Sequence, residues 1–406
     1  MKRILGPLTG CLAPLIVAGV VGLIYFCSTP RIDSPYDYTL RIADCFLAGR
    51  LGLTERPPSW LNEMIPVADR YYSVFPLGSV LTMLPLAVWK KLVPGSMPVF
   101  PGPLIGALIG AALAFLYWHL SRAYELSLAH RACLVVGFSL GTWSWTNLVL
   151  GGAWQLACGF GVLGTLGALY YTLVNPRPFL AGCAFSLASG NRPEVFFCAP
   201  VFVLLSLRND PWTWETLRAR MTDLLWAALP VIMLGVLTLL YNELRFGAPL
   251  QMGYSLIPGV LDEPWYKNGI FSPTAIPLNF QQMLLEPWKR VEGFPYVVPT
   301  GFGGSILLSS PFLLLALRSG CRSPVVKHLS WAALCVLTLI LWCHGNPGGW
   351  QYSYRYAMVL LPWLFLVLLE KSPPALPWST AALVAVSVAI NGWATYLFLW
   401  TGYVHP

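Results

Sequence analysis

Long apolar runs are the feature that most constrains how this chain folds. Most of them are close to the roughly 20 residues that a helix needs to cross the hydrocarbon core of a membrane. A helix satisfies its own backbone hydrogen bonds there, so the runs predict transmembrane helices. They lie near residues 4–27, 73–91, 102–120, 131–149, 153–173, 178–208, 223–241, 301–318, 328–343, 356–370 and 377–400.

Composition leaves little room for anything besides such helices. Of the 406 residues, 56% are hydrophobic and only 10% are charged, and the mean hydropathy is +0.63. Soluble domains do not combine these values. The sequence therefore predicts an all-α fold, a polytopic transmembrane bundle of about 11 helices, with residues 1–406 forming a single integral-membrane domain.

Basic residues predict which helix ends are cytoplasmic. Lys2 and Arg3 precede the first run, which we interpret as a retained signal anchor with its N-terminus inside. The connection that carries Arg122 and Arg131 then lies outside, against the rule. The connections expected inside carry Lys90, Lys91, Arg208, Arg218, Arg220, Arg318, Arg322, Lys327 and Lys371.

The run at 178–208 leaves the helix count open between 11 and 12. Asn191, Arg192 and Pro193 interrupt it. If they divide it into two passes, every downstream connection changes sides. We favour 11 helices, because that count puts all the long connections rich in Trp, Tyr and Gly on one face, the external one.

These external connections are 28–72, 243–300 and 343–354. Elaborate loops on one side of a membrane indicate that function resides there. The first loop holds six of the 17 carboxylates in the chain: Asp33, Asp37, Asp44, Glu55, Glu63 and Asp69.

The first loop contains a predicted amphipathic helix that lies in the membrane interface. Ser34 suits the N-cap, Pro35 the first helical position and Asp37 the third. Asp37, Arg41 and Asp44 then share one face of this helix. Asp33 precedes the cap and has no local structural role, so its side chain is free to face a cavity. The alternative interpretation of Asp33 is a solvated loop carboxylate.

Several arginines are candidates for holding a phosphate group. Arg192 lies deep in an apolar run, where a charge costs about 2.5–3.5 kcal/mol and therefore faces a cavity or a partner. Arg70, Arg245 and Arg355 lie at helix ends on the external face. A guanidinium matches phosphate oxygens in geometry. The alternatives are an Arg192–Glu194 ion pair and simple interface anchors.

Four aromatic residues near these arginines are candidates for stacking on sugar rings. They are Tyr71, Tyr72, Trp350 and Tyr352. An interfacial aromatic belt is the competing interpretation for each of them.

Signatures of other chemistries are missing from the sequence. It has no Walker A motif, no GxGxxG after a strand and no HExxH. The five histidines are scattered without metal-ligand spacing, so no metal ligand is assigned, although a divalent ion stays open. The net charge of +8 fits topology and attraction to membrane lipid rather than nucleic acid.

The order of these motifs resembles that of the polytopic type C glycosyltransferases. That superfamily includes protein O-mannosyltransferases and the aminoarabinose transferase acting on lipid A, and the likeness is greatest to bacterial glycosyltransferase-like members. It spans nearly the whole chain. The motifs, in order, are IDSPYDYTLRIADCFLAGR, YYSVFPLGSVLTMLP, NRPE, YNELRFGAPLQMGY and GGWQYSYRYAMVLLPW.

The resemblance implies transfer of a sugar from a polyprenyl-phosphate carrier to a glycan, lipid or protein acceptor. Transfer would take place on the periplasmic side of a bacterial inner membrane. In that family, a first-loop carboxylate acts as general base or orients the acceptor, a role that would fall to Asp33 or Asp37. The adjacent Asp-Glu pair of many members is replaced here by two aspartates four positions apart. Arg70 and Arg192 match basic residues of the family's second helix and central break.

Two other functions stay open. A transporter or flippase of a lipid-linked saccharide is the first, although inverted repeats typical of transporters are not evident. The second is a non-catalytic scaffold that keeps the fold without the chemistry, which the missing Asp-Glu pair permits.

Overall fold

The computed structural model describes the backbone of residues 7–404 and the side chains of residues 12–404. Lys2 and Arg3 lie outside the described residues. The described α-helices are α1 (Pro7–Cys27), α2 (Tyr38–Leu47), α3 (Leu77–Leu81), α4 (Leu84–Leu92), α5 (Gly102–Ser121), α6 (Leu128–Leu140), α7 (Ser144–Leu150), α8 (Ala153–Leu173), α9 (Pro178–Asn191), α10 (Ala199–Ser206), α11 (Trp214–Ala219), α12 (Met221–Phe246), α13 (Ile276–Phe280), α14 (Ile306–Ser309), α15 (Pro324–Cys343), α16 (Leu361–Lys371) and α17 (Trp378–Trp400).

Strands are few and short, and they pair in twos. The hairpin β1–β2 is antiparallel and pairs Met64 with Ser73, β3–β4 is antiparallel, and β5–β6 is parallel. The strands are β1 (Met64–Val67), β2 (Arg70–Ser73), β3 (Lys289–Arg290), β4 (Val297–Val298), β5 (Phe302–Gly303) and β6 (Gln351–Tyr352). Short 3₁₀-helices cover Pro193–Cys198, Tyr254–Leu256, Val260–Asp262, Pro264–Tyr266, Pro273–Ala275, Pro311–Leu317 and Arg355–Leu360, and a π-helix covers Gln281–Leu285.

The helical membrane architecture is confirmed, and the regular count of 11 is not. Five helices, α5, α8, α12, α15 and α17, are long and apolar enough to cross a membrane, and α6 with α7 forms a sixth span bent by 48°. Several other apolar runs are broken into shorter pieces. We call the end of the bundle that carries the connections after α1, α12 and α15 the loop face, and the other end the opposite face.

The run predicted to cross at 73–91 enters and leaves at the loop face. Its last residues contact the first loop, with Lys90 Nζ 2.7 Å from Asp44 Oδ2 and Lys91 Nζ 3.1 Å from the Leu47 carbonyl. Pro85 lies just after the break between α3 and α4. Proline has no N–H and its ring clashes with the carbonyl four residues earlier, which ends α3 at Leu81. The prediction that Lys90 and Lys91 lie on the side away from the first loop was therefore wrong.

This re-entrant segment moves Arg122 and Arg131 to the opposite face, and it leaves Lys90 and Lys91 at the loop face. The helix α5 now starts at the loop face, where Gly102 lies against Gly151, and ends at the opposite face. Arg122 and Arg131 follow that end. Arg322, which was expected at the cytoplasmic side, donates to the Glu125 carbonyl in the same connection at 3.2 Å. The two arginines therefore belong with the other basic connections.

The run at 178–208 also begins and ends on one side. It turns back at Pro193, and Arg208 then donates to the carbonyls of Thr172 and Leu173 at the opposite face, at 3.2 and 3.1 Å. The single pass predicted for this run was wrong. Because both irregular runs return to the side they started from, the two errors cancel, and the downstream helices keep their predicted directions.

The long helix α12 stands at the edge of the bundle. Only 6% of its most apolar stretch is buried, against 39–67% in the other four long helices. It packs along α9, where Ala227 faces Gly182 and Leu234 faces Gly190. Its remaining surface is apolar and exposed, as at Trp226, and is suited to lipid.

The Glu370 carboxylate links segments that are distant in sequence at the opposite face. It is 3% exposed, and it accepts hydrogen bonds from the Tyr124 hydroxyl at 2.8 Å and from the backbone N–H groups of Arg322 and Ser323 at 3.1 and 2.6 Å. The carboxylate thereby pairs the backbone N–H groups just before α15 and links them to Tyr124, which follows the end of α5.

Glu370→Ala should destabilise the protein by about 1–3 kcal/mol, because it leaves these buried donors without an acceptor. Thermal unfolding of detergent-solubilised protein measures the effect. The control is Glu125→Ala, an exposed residue of the same region, which should stay within about 0.5 kcal/mol of the wild type. Equal melting temperatures for the two variants would contradict this account of Glu370.

Candidate functional site

The interfacial helix predicted in the first loop is present as α2, but it begins at Tyr38 instead of Pro35. The residues before it are held by other segments: the Ser34 N–H donates to the Phe100 carbonyl, and the Tyr36 carbonyl accepts from Ala153. Asp37 therefore occupies the N-cap position, where its side chain makes no capping bond. Its carboxylate instead pairs with Arg41 at 2.7 Å.

A cleft of about 480 Å³ opens beside α2, and both candidate catalytic aspartates line it. Asp37 is paired with Arg41, and Asp44 is paired with Lys90 at 2.7 Å. Asp33 is exposed and has no ion-pair partner within the described part of the chain. The sequence-based distinction between a paired Asp37 and an unpaired Asp33 agrees with this geometry.

A second polar centre, which we call the arginine centre, consists of Arg192, Glu194, Arg355 and Tyr356. Arg192 follows the end of α9 and pairs with Glu194 at 2.6 Å, and its guanidinium lies 4.9 Å from the centre of the Tyr356 ring. Arg355 lies 5.2 Å from the same ring. Two cations therefore lie near one aromatic side chain. The ion pair proposed as the alternative for Arg192 is also present.

Arg355 is buried but not saturated with hydrogen bonds. It is 3% exposed, and its Nη1 donates to the Trp350 carbonyl at 3.3 Å. Its Nε has no partner among the described residues. A buried guanidinium N–H without an acceptor is energetically costly, so this position calls for an explanation.

Glu63 is a first-loop carboxylate whose side chain is held by a residue far away in the sequence. Trp154, at the start of α8, donates its indole N–H to Glu63 Oε2 at 2.7 Å. Burial raises the pKa of Glu63 to about 7, while the Trp154 hydrogen bond and the Arg355 charge act in the opposite direction. Glu63 was counted in the sequence only as one of six loop carboxylates. Its partner lies 91 residues away, so no local pattern distinguished it.

Aromatic side chains of the second and third loops wall the arginine centre. His344 lies edge-on to Tyr356, with ring centres 5.7 Å apart, and also contacts Tyr254 and Tyr266 at 6.1 and 6.2 Å. The hydroxyls of Tyr254 and Tyr266 are 2.6 Å apart. The second loop itself begins at Gly247, since α12 extends to Phe246.

The four arginines predicted to bind phosphate do not form one group. Arg192 and Arg355 share Tyr356. Arg245 lies elsewhere: it donates to the Ser73 carbonyl at 2.7 Å and to Asn242 Oδ1 at 2.6 Å, and it stacks on Tyr241. Arg70 is in the β1–β2 hairpin, with 39% of its side chain exposed. Arg245 therefore holds the hairpin, and Arg70 faces solvent.

The four aromatic residues predicted to stack on sugar form two separate pairs. Tyr71 and Tyr72 belong to β2, where Tyr72 is 7% exposed and packs on Phe246. Trp350 and Tyr352 pack on Phe398 of α17, and Tyr352 is 1% exposed. Neither pair lies within the arginine centre.

No group of three or more His, Cys, Asp or Glu residues in the described part of the chain is arranged to hold a metal ion.

The chain is similar to the crystal structure of the Archaeoglobus fulgidus oligosaccharyltransferase in the apo form, at a TM-score of 0.42 and 11% sequence identity. The match covers 96% of this chain and 55% of the other, so the chain spans about half the length of that protein. Similarity at this level assigns no activity. No family model and no curated protein matches the chain.

Arg245→Met should lower stability by about 1–3 kcal/mol, because it leaves the buried Ser73 carbonyl and the Asn242 amide oxygen unpaired. Arg70→Met, an exposed change in the adjoining hairpin, is the matched control and should stay within about 0.5 kcal/mol. Thermal unfolding in detergent measures both. A loss in the Arg70 variant as large as in the Arg245 variant would contradict the roles given to them.

Proposed function

We propose that this protein is a membrane glycosyltransferase that takes a sugar from a polyprenyl-phosphate carrier. The observation that carries the proposal is the pair of guanidiniums, Arg192 and Arg355, that lie 4.9 and 5.2 Å from the centre of the Tyr356 ring. A leaving phosphate needs positive charge and N–H donors that are already oriented where its negative charge develops. The unpaired Nε of Arg355 supplies one such donor.

The surroundings of Arg192 suit a donor with a lipid tail. After Arg192, the chain exposes the apolar side chains of Phe196 and Phe197 by 54% and 60%. The helix α12 also turns most of its apolar surface outward. A polyprenyl chain lying on this surface would bring its phosphate to Arg192 without leaving the hydrocarbon.

Basic residues support an orientation with the loop face external. The short connections at the opposite face carry Arg122, Arg177, Arg208, Arg318 and Lys371, as cytoplasmic connections do. The loop face, which carries the first-loop carboxylates, would then face the periplasm of a bacterial inner membrane. The acceptor of the sugar would be a glycan, lipid or protein of the cell envelope.

The cleft beside α2 is proposed as the acceptor side of the site. It combines ion pairs with the apolar Val99 and Phe100, a mixture that suits a hydroxyl-rich ligand. Arg192 and Arg355 do not line the cleft, so the donor phosphate would bind outside it. Asp33 and Asp37 do line the cleft and would orient the acceptor there. Tyr71, Tyr72 and Trp350 would contact sugar rings at the edges of the cleft and of the arginine centre.

The reaction would be a single inverting displacement. The acceptor oxygen loses its proton to a base and forms a bond to the anomeric carbon, while the bond between that carbon and the phosphate oxygen breaks. The polyprenyl phosphate leaves with the bonding electrons, and Arg192 and Arg355 stabilise its added charge.

The first test is transfer of radiolabel from polyprenyl-phosphate sugars to envelope products in membranes that contain the protein. Arg192→Gln and Arg355→Gln should each reduce transfer about 10²–10³-fold, as removal of one transition-state donor does elsewhere. The control is Arg70→Gln, which should keep near wild-type activity. Movement of the lipid-linked saccharide across vesicle membranes without a labelled product would favour a flippase. The absence of both transfer and lipid movement would favour a scaffold.

The second test concerns the aspartates of the cleft. Asp33→Asn should abolish or strongly reduce transfer while leaving expression intact, because Asp33 has no structural partner to lose. Asp69→Asn, an exposed aspartate of the same loop, is the control. Full activity of Asp33→Asn would exclude Asp33 and leave Asp37 as the residue to test next.

A further inference from the structure

The β3–β4 hairpin of the second loop gathers exposed apolar side chains around its turn. Val291, Phe294, Tyr296 and Val297 are exposed by 38%, 64%, 64% and 40%. A single exposed apolar side chain is ordinary on a protein surface, but a group of large ones on one short hairpin indicates an interaction site. None of the residues proposed above for sugar transfer belongs to this group. The hairpin therefore requires a partner of its own.

The turn of this hairpin packs on the outer surface of α17. The ring centre of Phe294 lies 6.2 Å from that of Trp393 and 6.3 Å from that of Tyr403. Trp393 comes seven residues before the end of α17 at Trp400. At 1.5 Å per residue, that places it about 10 Å below the helix end. The turn therefore lies alongside the last two turns of α17 rather than above them.

This surface of α17 faces outward from the bundle at the loop face. The helix is long and apolar enough to cross a membrane. Trp393, Tyr396 and Trp400 recur at spacings of three and four, so they share one helix face, and all three are exposed. Asn391, on the opposite side, is fully buried. The Trp400 indole donates to the Ser28 carbonyl at 2.7 Å, just after α1. Aromatic residues at such a helix end belong to the membrane interface.

The backbone of the turn is suited to a partly apolar environment. A peptide N–H without a partner is costly there. The Val291 N–H donates to the Tyr296 carbonyl at 3.0 Å, and the Tyr296 N–H donates to the Gly293 carbonyl at 2.6 Å. Pro295 has no N–H to satisfy. The turn therefore meets much of its hydrogen-bonding requirement without water.

The first strand of the hairpin adds positive charge beside the aromatic residues. Lys289 and Arg290 are exposed, and neither has an ion-pair partner among the residues that the structure describes. Glu292 is the acidic residue of the turn, so residues 289–298 carry two positive charges and one negative charge. Basic side chains next to interfacial aromatic rings match the phosphate groups of a phospholipid bilayer.

We propose that the β3–β4 hairpin is a membrane anchor of the second loop. Phe294 and Tyr296 insert at the boundary between head groups and hydrocarbon beside α17, and Lys289 and Arg290 contact lipid phosphates. The partner is the phospholipid leaflet at the loop face. This inference does not depend on the proposed sugar transfer.

The anchor is connected to the strand pair that precedes Arg355. The ring of Trp288, just before β3, lies 6.3 Å from that of Tyr352 in β6. The strand β5 follows the hairpin and pairs with β6. The Gln351 side chain then accepts the Arg355 backbone N–H at 3.0 Å. Lipid contact at the hairpin therefore restrains the third loop next to the arginine centre.

The first test uses Phe294→benzoylphenylalanine, a photoactivatable substitution, in the full-length protein in phospholipid vesicles. Irradiation should attach phospholipid to this position, detected by mass spectrometry of the hairpin peptide. The control is Lys267→benzoylphenylalanine, at an exposed residue of the same loop, which should give no lipid adduct. Adducts with a second copy of the chain, or no adduct at all, in place of lipid adducts would overturn the proposal.

Amide hydrogen exchange in the same vesicles gives a second test. Phe294→Asp should speed exchange at residues 291–296 by about tenfold or more, since burial of a phenylalanine side chain away from water is worth at least that factor. Leu261→Asp, an exposed apolar residue elsewhere in the second loop, is the matched control and should leave the hairpin unchanged. Equal exchange in the two variants would contradict the anchor. Faster exchange in Phe294→Asp without lipid adducts in the first test would reduce the contact to packing on α17 and also overturn it.

Discussion

The close approach of Gly78 to Gly190 joins the two irregular parts of this bundle. Gly78 begins the re-entrant segment that enters from the loop face, and Gly190 lies at the end of α9, just before the chain turns back. A Cβ atom on Gly78 would lie 2.4 Å from the Gly190 carbonyl, a distance that no side chain tolerates. Two backbones in direct contact thus fix how far each broken segment reaches into the membrane. The first loop and Arg192 are positioned relative to each other through this contact.

That contact also explains how a charge is kept inside an apolar bundle. Arg192 follows Gly190 by two residues, and Pro193 ends the helix there. The bundle offers Glu194, the Tyr356 ring and the space above Gly161, where a Cβ atom would lie 2.6 Å from the Arg192 side chain. Burial of a guanidinium is costly unless such partners are present. The break in the helix and the arginine are therefore parts of one arrangement, which suits a site that holds an anion.

The sequence predicts the class of fold well and its local interruptions poorly. Apolar runs predict membrane helices, because composition and length alone determine whether a segment is stable in hydrocarbon. Pro85 and Pro193 are visible in the sequence, but a proline can kink a spanning helix or reverse it, and only the contacts of Lys90 and Arg208 decide between these outcomes. The start of α2 was misplaced for a similar reason. The Ser34 N–H donates to the Phe100 carbonyl and the Tyr36 carbonyl accepts from Ala153, and both partners are distant in sequence. These bonds override the local capping preference of Ser34.

The first-loop carboxylates show why the candidate site was only partly predictable. Local spacing identifies the Asp37–Arg41 pair and leaves Asp33 without a partner, and both features are present in the structure. The pairing of Asp44 with Lys90 and of Glu63 with Trp154 depends on tertiary contacts across 46 and 91 residues. This difference has a chemical consequence, because a cation stabilises the ionised form of a carboxylate and makes it a weaker base. A carboxylate held by a neutral N–H lacks that full opposing charge. Among the acidic residues of this loop, tertiary contacts therefore distinguish Asp37 and Asp44, which are paired with cations, from Glu63, whose side chain is held by a neutral indole.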